Sequence, residues 1–284
     1  MALVVNTNIA SLNAQRNLQT SQSQLATTLQ RLSSGLRVNS AKDDAAGLAV
    51  AQAFTAQIRG NNQAVRNAND GISLGQTAEG ALGQIANNVQ RIREIAVQSS
   101  NGTLSNTNRS QLQKEVDQLT QEISRIVSTT NFNSTNLLSG VSTLTFQVGA
   151  DGTSTNQVAV TTTNLAQSGS SGLFTFNTSL TNTGTVDVTS QTAASAALAN
   201  LDSDISQVST IRSTFGAVQN RFEAVISSLE NYVENLTASR SRILDADFAA
   251  ETANLTRGQI LQQAGTAVLA QANALPQTAL SLLR

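Results

Sequence analysis

Six apolar residues recur at intervals of seven in the second half of the chain: Leu201, Val208, Phe215, Phe222, Leu229 and Leu236. This heptad spacing is typical of α-helices that pack side by side. Residues 192–236 contain no proline and a single glycine, Gly216. The spacing therefore predicts one uninterrupted helix, roughly 65 Å long at about 1.5 Å per residue. A helix of that length forms a rod rather than the wall of a compact globule.

Helical spacing also runs through the first half of the chain, from residue 6 to about residue 128. Three apolar stripes carry it, and their members are Leu25, Leu29, Leu32 and Leu36; Leu82, Ile85, Val89, Ile92 and Ala96; and Leu112, Val116, Leu119, Ile123 and Ile126. Asn101-Gly102 predicts a turn between two of these helices, which would then form an antiparallel hairpin. Short polar residues at 106–110 and 190–192 predict helix starts.

The middle of the chain has a different composition. Between Arg125 and Asp202 the charged residues are Asp151 and Asp187 alone, and the stretch is rich in Ser, Thr, Asn and Gly. Residues 145–148 and 157–162 carry β-branched or alternating patterns around the turn at 149–152, which predicts a β-hairpin. Further short strands are predicted at 173–176 and 185–188, within a β-rich region at about 140–190. A disordered linker is the alternative interpretation.

Both ends of the chain carry more apolar surface than pairing with each other would bury. A terminal helix gains most of its stability by packing its apolar face, and burial of one large side chain contributes about 1.5–3 kcal/mol. Identical neighbouring chains could cover the surplus, and a repeated contact that does not close produces a helical fibre. The residues predicted to form this polymerisation seam are Leu25, Leu29, Leu32, Leu261, Val268 and Leu275.

The composition argues against an enzyme. The chain has no Cys and no His, which excludes thiolate metal sites, disulfides and His-based catalytic triads. Four close carboxylate pairs, Asp43-Asp44, Glu115 with Asp117, Asp202 with Asp204, and Asp245 with Asp247, are interpreted as partners of arginines or as helix-start charges. The Gly-rich turns lack the lysine of a phosphate-binding loop. We therefore predict no catalytic residue, cofactor or metal.

Charge and hydropathy also limit the partners. A net charge of −1 provides no electrostatic footprint for nucleic acid or an anionic membrane. No segment has the 18 or more apolar residues of a membrane span. The first residues, MALVVNTN, lack the basic and apolar regions of a cleaved signal peptide. An exported chain of this kind would therefore need a route without a cleaved signal.

Several segments resemble bacterial flagellins. On the N-terminal side they are LSSGLRVNSAKDDAAGLA at residues 32–49, NANDGIS at 67–73 and TAEGAL at 77–82. On the C-terminal side they are FGAVQNRFEAVI at 215–226, SRSRILDADFAAET at 239–252 and ILQQAGTAVLAQANALPQ at 260–277. The resemblance covers about the first 140 and the last 90 residues in collinear order. The short middle corresponds to a reduced form of the family's variable region.

The resemblance implies a mainly α fold, an elongated helical rod or coiled coil built from both ends with a small β-hairpin region in the middle. Residues 1–42 and 244–284 would form a coiled-coil domain lining the filament core, and residues 43–243 a helical second domain. It implies a secreted, extracellular subunit of the bacterial flagellar filament, a homopolymer that serves motility. The implied partners are a filament cap protein, a hook–filament junction protein, the flagellar type III export apparatus and an export chaperone on the C-terminal segment.

The resemblance also implies recognition by the vertebrate innate receptor for flagellin. Residues 90–98, QRIREIAVQ, and 112–119, LQKEVDQL, resemble the patch that this receptor contacts, and Arg91, Ile95 and Glu115 match its contact positions. Packing between neighbouring subunits is the simpler interpretation of the same surface. Two other classes share features with this chain: a hook–filament junction protein, and a non-flagellar coiled-coil signalling or secreted effector protein.

Overall fold

The computed structural model of the chain describes residues 8–166 and 186–282, with side chains as far as residue 274. Within these residues lie five α-helices, α1 (Ile9–Ser34), α2 (Ala45–Ser99), α3 (Asn106–Thr129), α4 (Gln191–Leu244) and α5 (Phe248–Leu282). Four short strands lie between α3 and α4, namely β1 (Asn131–Phe132), β2 (Thr135–Asn136), β3 (Thr143–Gln147) and β4 (Gln157–Thr161). The predicted fold class, mainly α with a small β region, is confirmed.

Local sequence explains where the helices begin and end. The Asn8 side chain accepts a hydrogen bond from the Ser11 N–H at the start of α1, and Ser105 accepts one from the Asn108 N–H at the start of α3. Both are short polar side chains that satisfy a free amide of a first helical turn. The first stretch of helical spacing is interrupted at Gly35, whose φ of 71° ends α1 in the left-handed conformation that glycine adopts without strain. Helix α4 continues to Leu244, beyond the predicted end at residue 236.

The chain divides into two compact units. One comprises Met1–Ile58 and Glu234–Arg284, and the other comprises Arg59–Val233. The two terminal segments thus belong together, and we call them the terminal unit; Arg59–Val233 is the middle unit. The domain division expected from the sequence, residues 1–42 with 244–284 and residues 43–243, stays a prediction about the assembled subunit.

In the terminal unit, the connection between α1 and α2 pairs with the link between α4 and α5. The Arg37 N–H donates to the Leu244 carbonyl at 2.6 Å, and the Ala246 N–H donates to the Gly35 carbonyl at 2.9 Å. The Arg37 guanidinium adds a bond to the Ile243 carbonyl at 2.6 Å. These bonds hold the α1–α2 connection against the α4–α5 link and satisfy backbone groups that lie outside the helices.

The middle unit contains a continuous hydrophobic core. The α2 stripe of Leu82, Ile85, Val89, Ile92 and Ala96 is fully buried, as predicted from its spacing. On α4 the heptad residues Leu201, Val208, Phe215 and Phe222 are also buried. Phe222 packs over Gly71 of α2, where an added Cβ would lie 2.5 Å from the ring, and its ring meets that of Phe146 edge-on at 5.4 Å. The glycine thus lets the ring approach the α2 backbone closely.

The predicted β-hairpin is confirmed as β3 and β4, which pair antiparallel from Thr143 opposite Thr161 to Gln147 opposite Gln157. Val158 and Val160 of β4 face the core, as their alternation indicated. A second, two-residue hairpin joins β1 and β2 through Asn133 and Ser134, both at positive φ, as a tight hairpin turn requires.

One strand prediction in this region is wrong, and another falls outside the described residues. Residues 186–188 form no strand, although Val186 and Val188 are buried. Their backbone pairs with the Gln113 side chain instead: the Gln113 amide donates to the Val186 carbonyl at 2.9 Å and accepts from the Val188 N–H at 2.7 Å. A side-chain amide thus replaces the neighbouring strand. The strand predicted at residues 173–176 lies outside the described residues.

Candidate assembly surface

Helices α1 and α5 of the terminal unit form an antiparallel pair. Leu18 meets Gly265 and Leu25 meets Gly258, so a step of seven residues forward on α1 matches a step of seven backward on α5. Farther along in each direction, the Arg31 guanidinium bonds the Glu251 carboxylate at 3.2 Å, and the Ser11 hydroxyl lies 2.7 Å from Asn273 Oδ1. These regular intervals are those of two helices packed as a coiled coil.

Two glycines set how closely the pair approaches. A Cβ placed on Gly258 would lie 3.1 Å from Leu25 Cδ1, and one placed on Gly265 would lie 3.1 Å from Leu18 Cδ1. Both distances are tighter than ordinary van der Waals contact, so the leucine methyl groups occupy space that a side chain would otherwise fill. Neither glycine was predicted from the sequence. Their seven-residue spacing opposite Leu18 and Leu25 was the available signal.

The side chains that this pair buries are small or polar, and many of its large apolar side chains stay exposed. The buried positions of α1 are Ser11 and Thr28, and those of α5 within the described side chains are Glu251 and Ala272. The exposed large apolar residues of the two helices are Ile9 at 66%, Leu12 at 48%, Leu29 at 48%, Phe248 at 60%, Ile260 at 60%, Leu261 at 46% and Val268 at 58%. Large apolar side chains that stay exposed in this way are available for contact with another chain. We call these seven residues the terminal apolar surface.

The residues predicted for the polymerisation seam do not all lie on this surface. Leu29, Leu261 and Val268 are exposed and belong to it. Leu25 and Leu32 are half-buried, and Leu25 packs against Gly258 inside the α1–α5 pair. Leu25 therefore contributes to the contact within the chain. The Leu275 side chain lies outside the described ones. Ile9, Leu12, Phe248 and Ile260 were not part of the predicted seam.

The middle unit carries the other predicted surface, at the α2–α3 hairpin. Arg91 of α2 bonds Glu115 of α3 at 2.9 Å and Glu94 at 3.0 Å, and all three side chains are exposed. The hydrogen bond to Glu115, with a second to Glu94, raises the pKa of Arg91, so the guanidinium keeps its charge. Ile95 does not lie on this surface. Its side chain is fully buried in the core because it continues the apolar stripe of α2.

The close carboxylate pairs are occupied by arginines and by backbone amides. Asp202 bonds Arg93, and Asp247 accepts from the Ala249 N–H at 2.9 Å near the start of α5. Asp43 accepts from the Ser40 hydroxyl and N–H, both at 2.9 Å. Among the described residues, no group of three or more acidic side chains is placed to hold a metal ion, and no described helix is both long and apolar enough to cross a membrane.

Comparison with known proteins identifies the class of chain that has this architecture. The bacterial flagellin N-terminal helical region matches residues 5–143, and the bacterial flagellin C-terminal helical region matches residues 198–283. A flagellin of Halalkalibacterium halodurans is 44% identical over 283 residues, covering 99% of this chain and 100% of that protein. A flagellin of Xenorhabdus nematophila is 46% identical over 326 residues, with all of both chains covered.

Solved structures are also similar. The structure of a putative flagellar hook-associated protein from Vibrio parahaemolyticus has a TM-score of 0.58 at 14% identity, covering 72% of this chain and 100% of that one. That likeness shows a shared fold alone. The crystal structure of Bacillus cereus flagellin has a TM-score of 0.47 at 27% identity and covers 58% of this chain and 88% of that one.

The chain is thus a helical structural protein, not an enzyme. It belongs to the bacterial flagellin family and is a self-polymerising subunit of the flagellar filament, which is extracellular and serves motility. Its length matches that of the shorter relative, as expected for a reduced variable region.

Proposed function

We propose that the terminal apolar surface is the polymerisation interface and that neighbouring copies of this chain cover it in the filament. The observation that carries the proposal is the inverted burial of the α1–α5 pair, which keeps small and polar residues inside and Ile260 and Val268 outside. Burial of a fully exposed large apolar side chain contributes about 1.5–3 kcal/mol. These side chains are already partly covered in the monomer, so each contributes less than that to the free energy of assembly. Every subunit provides seven of them, however, so their contributions add up along the filament.

The same surface supports the proposed partners before and during assembly. An export chaperone on the C-terminal segment would cover Ile260, Leu261 and Val268 until neighbours do. The flagellar type III export apparatus would carry the chain out of the cell before assembly. The cap protein and the hook–filament junction protein would contact subunits at the two ends of the growing filament, where one side of each terminal apolar surface lacks a neighbour.

A charge on the terminal apolar surface tests the interface. Val268→Asp places a carboxylate at a position that is exposed to solvent in the monomer and buried in the proposed filament. Because burial of an unpaired charge costs free energy, the substitution should destabilise the filament. We expect the monomer to keep its circular dichroism and thermal unfolding, while the critical concentration for filament formation rises by on the order of tenfold or more. Electron microscopy and sedimentation measure the outcome.

Val268→Thr is the matched control because it keeps the branched shape and adds no charge. It should polymerise at a concentration closer to that of the unchanged chain. If Val268→Asp polymerised as readily as Val268→Thr, this part of α5 would not lie in the interface. If both chains lost monomer helicity equally, Val268 would instead stabilise the folded monomer.

We also propose that the exposed Arg91–Glu115 pair is the center of the surface recognised by the vertebrate innate flagellin receptor. The exposure of this pair and its 2.9 Å ion-pair contact support the proposal, whereas Ile95 offers no accessible side chain. Charge reversal of both residues, Arg91→Glu with Glu115→Arg, keeps their mutual attraction and should abolish receptor signalling by monomer. Arg125→Glu with Glu122→Arg on the same hairpin is the control. Signalling unchanged by the first exchange would contradict the proposal.

A further inference from the structure

The turn between α2 and α3 contains the one Asn-Gly pair of the sequence, Asn101-Gly102. Both residues are exposed, and Asn101 lies two residues beyond the last residue of α2. We propose that this pair is a self-modifying site, at which Asn101 deamidates through a cyclic imide that opens mainly to isoaspartate held by Arg109. The reaction needs water as its single co-reactant.

The chemistry proceeds in two steps. The Gly102 backbone nitrogen attacks Asn101 Cγ, the Cγ–Nδ2 bond breaks, and the amide leaves as ammonia with the proton of the Gly102 N–H. Water then opens the five-membered imide at one of its two carbonyl carbons. Opening at Cγ gives aspartate, and opening at the main-chain carbonyl carbon gives isoaspartate, in which the chain runs through Cγ and the former main-chain carbonyl becomes a free carboxylate.

The local structure favours the first step. Among the described residues, the Gly102 N–H has no hydrogen-bond acceptor, so its nitrogen is not held away from Asn101. A Cβ on Gly102 would meet nothing nearer than the Gln191 side chain at 3.8 Å, and glycine leaves the backbone free to reach the attacking geometry. The Thr103 N–H donates to Asn101 Oδ1 at 3.2 Å and polarises the carbonyl group that is attacked.

Asn39-Ser40 is a natural comparison in the same chain. It also lies in an exposed loop, but its Ser40 N–H donates to the Asp43 carboxylate at 2.9 Å. That bond holds the nitrogen that would have to attack, and the serine side chain hinders its approach. The two loops therefore differ in the features on which the proposed reaction depends.

Arg109 determines the direction of the second step. Its side chain is buried and donates to three neutral oxygens: the Ser99 carbonyl at 2.9 Å, the Asn101 carbonyl at 2.9 Å and Asn106 Oδ1 at 3.1 Å. Within the described part of the chain, no carboxylate lies within ion-pair distance of this guanidinium. The negative end of the α2 dipole is its main electrostatic partner.

Isoaspartate would supply the missing counter-ion. The Asn101 carbonyl oxygen that now accepts from Arg109 belongs to the free carboxylate in that product, and to an unchanged neutral carbonyl in the aspartate product. In the isoaspartate product the hydrogen bond from Arg109 would join two opposite charges, whereas in the aspartate product its acceptor stays neutral. The folded turn should therefore raise the share of isoaspartate above that of the unfolded chain.

The rate is tested by incubating the purified monomer at mildly alkaline pH in ¹⁸O-labelled water. Trypsin, applied briefly at mildly acidic pH, releases residues 94–109, and fragmentation in the mass spectrometer locates the modified asparagine. Asn101 should deamidate on the order of tenfold faster than Asn39, Asn106 or Asn108. Gly102→Ala, which the open space around Gly102 allows, should slow Asn101 by a similar factor without loss of helicity. Equal rates at Asn101 and Asn39, or no effect of Gly102→Ala, would overturn the proposal.

The product ratio tests the role of Arg109. Electron-transfer fragmentation distinguishes the two isomers, and the isoaspartate share should be severalfold higher in the folded chain than in the same chain in urea. Arg109→Lys keeps the charge but loses the planar fork, so it should lower the share toward the urea value at unchanged helicity. If the folded and unfolded chains gave the same ratio, the Arg109 part of the proposal would be wrong.

Discussion

The core of the middle unit and the α1–α5 pair of the terminal unit bury different kinds of residue. In the middle unit the largest apolar side chains lie inside, and Leu82, Ile92 and Phe222 have no measurable exposure. In the terminal unit the α1–α5 pair buries Ser11 and Ala272, whereas Ile9 and Ile260 stay more than half exposed. The middle unit therefore buries most of its large apolar side chains within one chain, and the α1–α5 pair does not.

This difference explains how one sequence can fold as a monomer and also polymerise. A core that is complete within one chain provides stability at any concentration. An apolar surface that is complete only among several chains makes the stability of that unit depend on concentration. At Gly258 and Gly265 the missing side chains make room for Leu25 and Leu18 of α1 within the pair.

Removal of α5 from about residue 254 onward is the strongest test of this comparison. We expect filament formation to be lost completely, because Ile260, Leu261 and Val268 are removed together. The middle unit should keep its unfolding transition, since its core contains no residue of α5. Electron microscopy measures the first result and thermal unfolding followed by circular dichroism the second. Filaments of normal length from the truncated chain would refute the terminal mechanism.

Truncation of one large side chain in each unit provides a matched pair. Phe222→Ala removes a fully buried ring that touches Gly71 and Phe146, and it should lower the free energy of unfolding by about 3–5 kcal/mol. Ile260→Ala removes a side chain that is 60% exposed in the monomer and should change monomer stability by about 0.5 kcal/mol or less. Urea unfolding of both monomers measures the difference. Similar costs would mean that the two units are built alike.

Gly258→Ala should produce a smaller effect, confined to the terminal unit. The new methyl group would press on Leu25 Cδ1 at 3.1 Å, and overpacking costs about 1–3 kcal/mol. The higher helix propensity of alanine offsets about 1 kcal/mol of that cost. Hydrogen exchange of the α1 amides should become faster.

Gly80→Ala is the control for that change, because nothing lies within 4 Å of the added Cβ on this α2 glycine. It should stabilise the middle unit by about 0.5–1 kcal/mol through helix propensity alone. Combination of Gly258→Ala with Leu25→Ala should restore part of the protection in α1. A gain in α1 protection from Gly258→Ala alone would show that the close approach is not under steric control.

Helix periodicity and turn signals predicted most of the fold, because they depend on residues near in sequence. The α2 and α4 heptads, the helix starts near residues 106 and 191 and the β3–β4 hairpin all have such local signals. Residues 186–188 were assigned to a strand wrongly, since Val-x-Val alternation does not reveal that a distant Gln113 amide will satisfy the backbone.

The candidate surfaces were less predictable, because burial depends on which elements pack together. Leu25 and Leu29 belong to the same apolar stripe, yet only Leu29 is exposed, since α5 covers Leu25. Ile95 was assigned to the receptor patch because the residues around it resemble that patch. Its position in the apolar stripe of α2 places it in the core instead. Spacing identifies an apolar face and does not tell which part of it a second helix will cover.

The smallest expected effect is the response of the two units to low pH. In each unit a carboxylate has a lowered pKa, but the hydrogen-bond donors that lower it differ. In the middle unit, a hydrogen bond from Arg93 lowers the pKa of Asp202. In the terminal unit, bonds from the Ser40 hydroxyl, and then from the Ser40 and Asn39 amides, lower the pKa of Asp43. Each carboxylate therefore adds stability above its ordinary pKa, and this contribution is lost as the pH falls through the lowered value.

Two substitutions should separate these contributions. Arg93→Gln should raise the pKa of Asp202 toward its ordinary value and leave that of Asp43 unchanged. Ser40→Ala should raise the pKa of Asp43 and leave that of Asp202 unchanged. Carboxyl ¹³C chemical shifts measured against pH follow both groups. Molar salt should raise the pKa of Asp202 more than that of Asp43, because exposed charge pairs are screened and Asp43 is held mainly by neutral donors. Both groups are exposed, so the change in overall stability should be small. An equal response of the two carboxylates to salt would show that Arg93 acts on Asp202 no differently from a neutral donor.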